Sequence, residues 1–508
     1  MPLKRDLLVR AGGWLCFGVL VGCGAPGDSP TADAAGDGAA ARNIVLFIGD
    51  GMGVSTVTAA RIFDGQARGL SGEEHSLAFE EFPQVALVKT YNTNQQVPDS
   101  AGTATAMMTG TKTRAGVINV GPQARRGHCA ESLAHPLTSL GEIARERGKS
   151  VGVVSTTRLT HATPASVYSR SPERDWESDR YLAPSDEQQG CRDIAYQMIR
   201  FDDGGGLDVA LGGGRSEFLG AELGGNRRDP QEDLIDEWLH AAPGRAYVAT
   251  GEELAGVQPG HQVLGLFSRS HMTYVAERTP DTAEPTLAQM TVAAIDLLVA
   301  RQAGGDASIA GDDAQRDDGY FLMVEGGRID HGHHEGRPDY ALLETQAFAR
   351  AIETALERID LEDTLVLVTA DHSHVFTMAG YPVRGNPILG LVVENDSSGE
   401  PQTAAALDAD GTPYTTLGYA NGPGAVGGGQ PRPAPELGPG AVYQALVPIV
   451  RRGIDGSLSS SETHGGEDVA LYGIGAGSQR VGGVIEQDVL FDIMMMAMGW
   501  DEGSGRVE

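Results

Sequence analysis

Short apolar runs recur along this chain, each ending abruptly at small or charged residues: Asn43 to Ile48, Ser150 to Ser155, Val209 to Gly212, Tyr320 to Val324 and Thr364 to Thr369. Runs of that length and character read as strands buried on both faces of a sheet. Between them lie stretches with helical spacing, such as Pro136 to Arg147, where Leu137, Leu140, Ile143 and Ala144 share a face, and Tyr340 to Ile359. Strands alternating with helices predict an α/β fold, a central, largely parallel sheet flanked by helices on both faces. In such a sheet ligands sit beyond the carboxyl ends of the strands. The unusual residues fall there: Gly49-Asp50-Gly51 after the first run, Glu325-Gly326-Gly327 after the fourth, and Asp371-His372 after the fifth.

Composition narrows the function. With 508 residues, 41% hydrophobic and 21% charged, the chain is neither disordered nor fibrous. A net charge of −31 repels polyanions, so nucleic acid is not expected as a bound polymer. The 70 glycines follow no G-x-y period and read as tight turns. From about Gly380 to Ser461 the sequence turns Gly/Pro-rich and weakly periodic; residues 380–461 are expected to form an inserted Gly/Pro-rich, loop-rich subdomain. Chemistry-bearing residues flank it on both sides, so it is not counted as an independent domain.

At the N-terminus, Lys4, Arg5 and Arg10 precede an apolar run from Leu15 to Val21, too short to span a bilayer but suited to a secretory signal. Leu20-Val21-Gly22-Cys23 resembles the lipobox of bacterial lipoproteins, in which the cysteine is acylated. The expectation is a signal over 1–22, a lipid anchor on Cys23 and a flexible tether over 23–41. An exported protein follows, periplasmic or on the cell surface, with a short tail at 501–508. Cys129 and Cys191 are the cysteines left in the mature chain, either as one disulfide or as two buried thiols.

Three clusters carry chemistry. Asp330-His331-Gly332-His333-His334, if helical, puts Asp330 and His334 one turn apart, where a carboxylate and an imidazole reach one metal ion. Asp371-His372-Ser373-His374 follows an apolar strand, where polar residues must be solvated, paired or metal-bound. Pro98-Asp99-Ser100-Ala101-Gly102-Thr103-Ala104-Thr105-Ala106 reads as a helix N-cap, and a serine there would meet an incoming anion at the positive end of the helix dipole.

Together these segments bring a family into view. From Arg42 to about Trp500 the chain resembles the alkaline phosphatases, in the branch that includes the animal enzymes. The matching segments include Ile48-Gly49-Asp50-Gly51-Met52-Gly53, Pro98 to Ala104, Thr160-His161-Ala162-Thr163-Pro164, Arg174-Asp175-Trp176, Val324 to Glu335, Thr369 to His374 and Thr463-His464-Gly465-Gly466-Glu467-Asp468. The resemblance implies a catalytic domain over 42–500 that hydrolyses small phosphate monoesters through a phosphoserine intermediate, and a homodimer. It implies Asp330, His334 and His464 as ligands of one zinc, and Asp371, His372 and Asp50 as ligands of a second, with Ser100 as nucleophile beside it. Asp50 with Thr163 and Glu325 would hold a third metal, normally magnesium, with His161 and His331 nearby where other family members carry Asp and Lys. That exchange opens the third site to cobalt or zinc. Arg174 matches the arginine that forks onto phosphate, and Cys129 with Cys191 a family disulfide. A family calcium site is expected to be weakened, because Ser268 replaces its Glu after Phe267 and Glu284 stands where Asp is usual.

Two zinc ions about 4 Å apart stabilise both the attacking and the leaving oxygen of an in-line phosphoryl displacement. Three divalent ions and Arg174 outweigh the four ligand carboxylates, so the site is locally positive within an acidic protein. The nearest alternative is a phosphodiester or sulfate-ester hydrolase on the same scaffold, but no cysteine has the Cys-x-Pro-x-Arg context of sulfatases. A dinucleotide-binding reading of Gly49, Gly51 and Gly53 fails because the last glycine of G-x-G-x-x-G falls on Val54 or Thr56. Metal binding without catalysis would predict a lost nucleophile or arginine, whereas Ser100 and Arg174 are both present.

Overall fold

The computed structural model describes residues 40–303, 319–426, 431–452 and 458–500. The expected signal with Cys23, nearly all of the 23–41 tether and the 501–508 tail lie outside the described residues.

Eight strands come first in the chain: β1 Asn43–Gly49, β2 Gln84–Lys89, β3 Ser150–Arg158, β4 Val209–Gly213, β5 Arg245–Val248, β6 Gln262–Leu266, β7 Tyr320–Glu325 and β8 Thr364–Ala370. Short strands follow: β9 Ser373–His374, β10 Phe376–Met378, β11 Leu417–Asn421, β12 Ala445–Val447, β13 Val450–Arg452, β14 Leu458–Ser460 and β15 His464–Gly465. The last two are β16 Val469–Gly475 and β17 Gly483–Glu486. A ten-stranded sheet has the order β17-β2-β16-β8-β1-β7-β3-β4-β6-β5. Every neighbouring pair in it is parallel except the two made by β16. This is the largely parallel sheet that the alternation of runs implied.

Its centre is dry. Every residue of β1, β7 and β8 is buried, as continuous apolar strands require when helices cover both faces. Helices Val54–Ala67, Leu287–Ala303 and Pro338–Leu356 pack together as one layer. Phe348 of that layer meets the ring of Phe47 at 6.0 Å. Ser100–Thr109, Leu140–Glu146 and Val489–Ala497 are joined by contacts through Ser100–Thr109. The helix expected from Pro136 begins only at Leu140, because Ser139 caps it: the Ser139 hydroxyl accepts from Glu142 N–H (3.1 Å) and the Glu142 carboxylate accepts from Ser139 N–H (2.8 Å). Pro136 instead bridges to Val120.

After β8 the chain makes the hairpin-like pieces of the Gly/Pro-rich segment, a small sheet β10-β11-β12 and a β13-β14 pair. It then returns through β15, which pairs antiparallel with β9, His464 opposite His374. The excursion starts and ends at the carboxyl edge of the main sheet.

Candidate active site and metal centre

Three adjacent strands deliver three acids to one place. β1 lies between β7 and β8, with Ile48 opposite Glu325 and Gly49 opposite Ala370, so Asp50, Glu325 and Asp371 leave the sheet side by side. Gly51 makes the turn at φ +69°, where a side chain would run into His374. All three carboxylates are fully buried. Both oxygens of Asp50, Oε1 of Glu325, Oδ2 of Asp371 and the hydroxyl of Thr163 have no hydrogen-bond partner among the described residues. Orphaned carboxylate oxygens in a dry interior are costly unless a cation compensates them. The protonation tendencies agree: burial and then Asp371, Asp330 and Glu325 push Asp50 well above the usual carboxylate range. Burial also raises Asp371, and takes Glu325 up to about 7 against hydrogen bonds from Ser155 and Thr157.

Imidazoles complete the centre. The helix Arg328–His334 sets Asp330 Oδ1 3.3 Å from His334 Nε2, one turn on, as the spacing implied. β15 brings His464 Nε2 to 3.4 Å from Asp330 Oδ1 and 3.1 Å from His334 Nε2. Backbone carbonyls decide which nitrogen of each ring carries hydrogen. Nδ1 of His334 donates to Glu462 O (2.8 Å), Nδ1 of His464 to Pro98 O (2.8 Å) and Nδ1 of His372 to Ser373 O (3.2 Å). In each neutral ring Nε2 is left as a lone pair. Two imidazole lone pairs and a carboxylate oxygen converging within 3.4 Å repel one another unless a cation lies among them. His372 Nε2 stands 3.4 Å from Asp50 Oδ1 and 3.5 Å from Asp371 Oδ2, a second convergence of the same kind. Ligand atoms of Asp50, His161 and Glu325 also lie within 4.8 Å of one another, the region expected for a third ion. The residues present therefore fit bound divalent metal.

His374 lies between two carboxylates. Its Nε2 lies 2.9 Å from Asp330 Oδ1 and its Nδ1 2.6 Å from Glu462 Oε2. Both ring nitrogens face carboxylates, so the ring donates twice and has no lone pair for metal. Burial opposes its charge, yet Glu462 and Asp330 raise it to about 10.

Ser100 is the first residue of the helix Ser100–Thr109, whose cap is Asp99: Oδ1 accepts Gly102 N–H at 3.1 Å. Ser100 Oγ lies 3.1 Å from His372 Nε2. The other oxygen of Asp99 accepts from Arg174 Nη1 at 3.1 Å, while Arg174 Nη2 donates to His161 Nε2 at 3.0 Å. Ser100, His161, Arg174, Asp330, His331, His334 and His464 line one cavity of about 790 Å³. Burial keeps His161 and His331 neutral, His331 falling to about 3, with Arg174 adding to the effect on His161. His271, which carried no motif, packs its ring 4.3 Å from His331 and 5.5 Å from His161. Cys129 and Cys191 are disulfide-bonded, with Cα atoms 5.9 Å apart.

A sequence profile of the alkaline phosphatase family matches residues 41–500. Over 476 residues the chain is 41% identical to the tissue-nonspecific alkaline phosphatase of Homo sapiens, covering 90% of this chain and 83% of that one. It is 39% identical over 475 residues to an alkaline phosphatase of Gadus morhua, covering 90% and 91%. Among solved structures, the Thermus thermophilus alkaline phosphatase shares the fold with a TM-score of 0.62 at 23% identity, covering 91% of this chain and 92% of that one. The alkaline phosphatase of the Antarctic bacterium TAB5 aligns at 0.57 and 21%, covering 91% and 99%. With the family profile spanning residues 41–500 and 41% identity to a relative over 90% of its length, the chain belongs to the alkaline phosphatase family.

Proposed function

We propose that this metal-dependent phosphomonoester hydrolase works through Ser100 as nucleophile, with Arg174 holding the phosphoryl oxygens. The observation that carries the reading is the placement of Ser100 Oγ 3.1 Å from His372 Nε2, beside the unpartnered oxygens of Asp50. Asp330, His334 and His464 would hold one zinc and Asp50, Asp371 and His372 a second. Asp50, Thr163 and Glu325 would hold a third ion, magnesium by preference for three oxygen donors, or cobalt or zinc. When bound, these ions favour ionisation of the serine hydroxyl and of water, and neutralise charge on the leaving oxygen.

The protein's own residues do the rest. The Ser100 oxygen attacks phosphorus from the helix N-terminus, and the ester oxygen departs on the opposite side, giving a phosphoseryl intermediate. A water oxygen then attacks that phosphorus in line; the Ser100 oxygen departs and inorganic phosphate is released. Two inversions give retention at phosphorus. Arg174, steadied by Asp99 and His161, presents its guanidinium to the equatorial oxygens in both halves. His374 charges against Asp330 and keeps that carboxylate oriented and anionic.

The same proposal places the catalytic domain at 42–500 behind an exported, lipid-anchored N-terminus at Cys23. It makes the protein a homodimer, as the family resemblance implies. Hydrolysis of an aryl phosphate, an aryl sulfate and a bis-aryl phosphodiester, with and without chelator, tests the reading. The aryl phosphate should be cleaved fastest, in a chelator-sensitive manner and with activity rising into the alkaline range. A preference for sulfate or diester would support the related hydrolase on this scaffold instead.

A further inference from the structure

Arg328 opens the helix that carries Asp330 and His334, yet it enters no step above. Its guanidinium lies over the ring of Tyr274, 3.5 Å from the centroid. Tyr274 is itself pinned: its hydroxyl donates to Glu335 Oε1 at 2.8 Å and its ring meets that of Tyr340 at 4.8 Å. From this shelf Arg328 Nη1 reaches His331 Nδ1 at 3.0 Å. A guanidinium has N–H donors and nothing that accepts. The imidazole nitrogen facing it must therefore offer a lone pair, which leaves the hydrogen of His331 on Nε2. His331 lines the catalytic cavity with Ser100 and Arg174, and His271 backs its ring.

We infer that Arg328 is a positioning residue that fixes His331 in the Nε2–H tautomer, so that His331 offers substrate phosphate a neutral N–H donor and offers no metal ion a lone pair on that side. The tautomer follows from Arg328 and His331 alone; the phosphate contact rests on the phosphomonoesterase reading. The same logic separates His331 from His334, its neighbour on the helix. His334 gives its Nδ1 hydrogen to a carbonyl and turns Nε2 toward Asp330 and His464, whereas His331 is held the other way round by a donor-only partner.

The test uses zinc-loaded, full-length enzyme labelled with ¹⁵N-histidine, with the His331 signals assigned by their loss in His331→Gln. Long-range proton–nitrogen spectra should show wild-type His331 protonated at Nε2 and bare at Nδ1. Arg328→Met keeps the length of the side chain without a donor and should give mixed tautomers. It should also weaken binding of inorganic phosphate about fivefold, the worth of one hydrogen bond, at unchanged zinc content. Arg328→Lys restores a donor and should recover the wild-type spectrum and phosphate affinity. A wild-type His331 protonated at Nδ1 overturns the inference without recourse to any variant, and so does an Arg328→Met protein that keeps the Nε2–H tautomer and wild-type phosphate affinity. If the tautomer is found but Arg328→Met binds phosphate normally, the positioning role is overturned while the catalytic reading stands, because phosphoenzyme formation on Ser100 is measured separately.

Discussion

The Nε2 atoms of His334 and His464 stand 3.1 Å apart with both Nδ1 hydrogens committed to backbone carbonyls. While both rings are neutral, neither nitrogen can donate to the other, so the contact is repulsive without a cation and attractive around one. Metal binding should therefore stabilise the fold as well as catalyse. Substituting His464→Ala should lower zinc content by one equivalent per chain and cut activity by orders of magnitude, measured by metal analysis and by aryl phosphate turnover. Full zinc occupancy in that variant would remove His464 from the ligand set.

Removal of metal should make stability fall with rising pH. Glu325 is pushed up by burial to about 7 from an ordinary 4.5, so the folded metal-free protein binds more protons than the unfolded chain between those values. Stability of the metal-free form should fall as pH rises through that window, with Asp50 and Asp371 acting in the same direction. Thermal unfolding of chelated protein from pH 5 to 8 measures this. If, as proposed, the same carboxylates hold metal, the fall should disappear in the metal-loaded protein.

Exchanging His161→Asp should tighten magnesium at the third site and slow turnover. A carboxylate adds a hard oxygen near Asp50 and Glu325, and removal of the imidazole leaves Arg174 Nη2 without its 3.0 Å partner. Calorimetric magnesium titration and steady-state kinetics report the two effects. Unchanged magnesium dependence would show that His161 does not influence that site.

No tight calcium site is expected around Phe267. The Glu284 carboxylate already accepts from the Thr273 N–H (2.8 Å) and hydroxyl (3.0 Å) and faces Arg278 at 3.5 Å, while the Ser268 hydroxyl donates to His271 O at 2.8 Å. Sub-micromolar calcium binding to zinc-loaded enzyme, read by calorimetry, would contradict this.

Much of this was legible in the sequence, for a physical reason. Strands buried on both faces, such as Asn43 to Ile48 and Thr364 to Thr369, have to be apolar throughout, so they announce themselves. β2 and β17, at one side of the sheet, are partly exposed; β2 still carries the apolar stretch Val85 to Val88, but Val85 and Val484 face solvent, so these strands are not buried on both faces. The helix start at Leu140 depended on a reciprocal cap rather than on periodicity. At the site, the carboxylates could be read from their places after the strands and from the family motifs. The nitrogen assignments could not: His464 owes its tautomer to the carbonyl of Pro98, 366 residues away in sequence. For the same reason His374, Glu462, His271 and Arg328 were not singled out. Their roles lie in what they touch across the fold, and the polar residue His374 following a buried strand was the one local hint.

The anchor is tested by Cys23→Ser, which should leave the protein exported but no longer partitioning with membranes. A wild-type protein that is fully soluble after export, with its mature N-terminus beyond Cys23, would refute the lipobox reading.

The most direct measurement is trapping of labelled phosphate on the enzyme. Wild-type protein quenched during turnover should carry acid-stable label on the peptide containing Ser100, and Ser100→Ala should carry none while retaining its zinc, because the ligands lie on other residues. Label at the wild-type level on Ser100→Ala, or on another residue of the wild-type chain, would contradict the assignment of Ser100 as nucleophile.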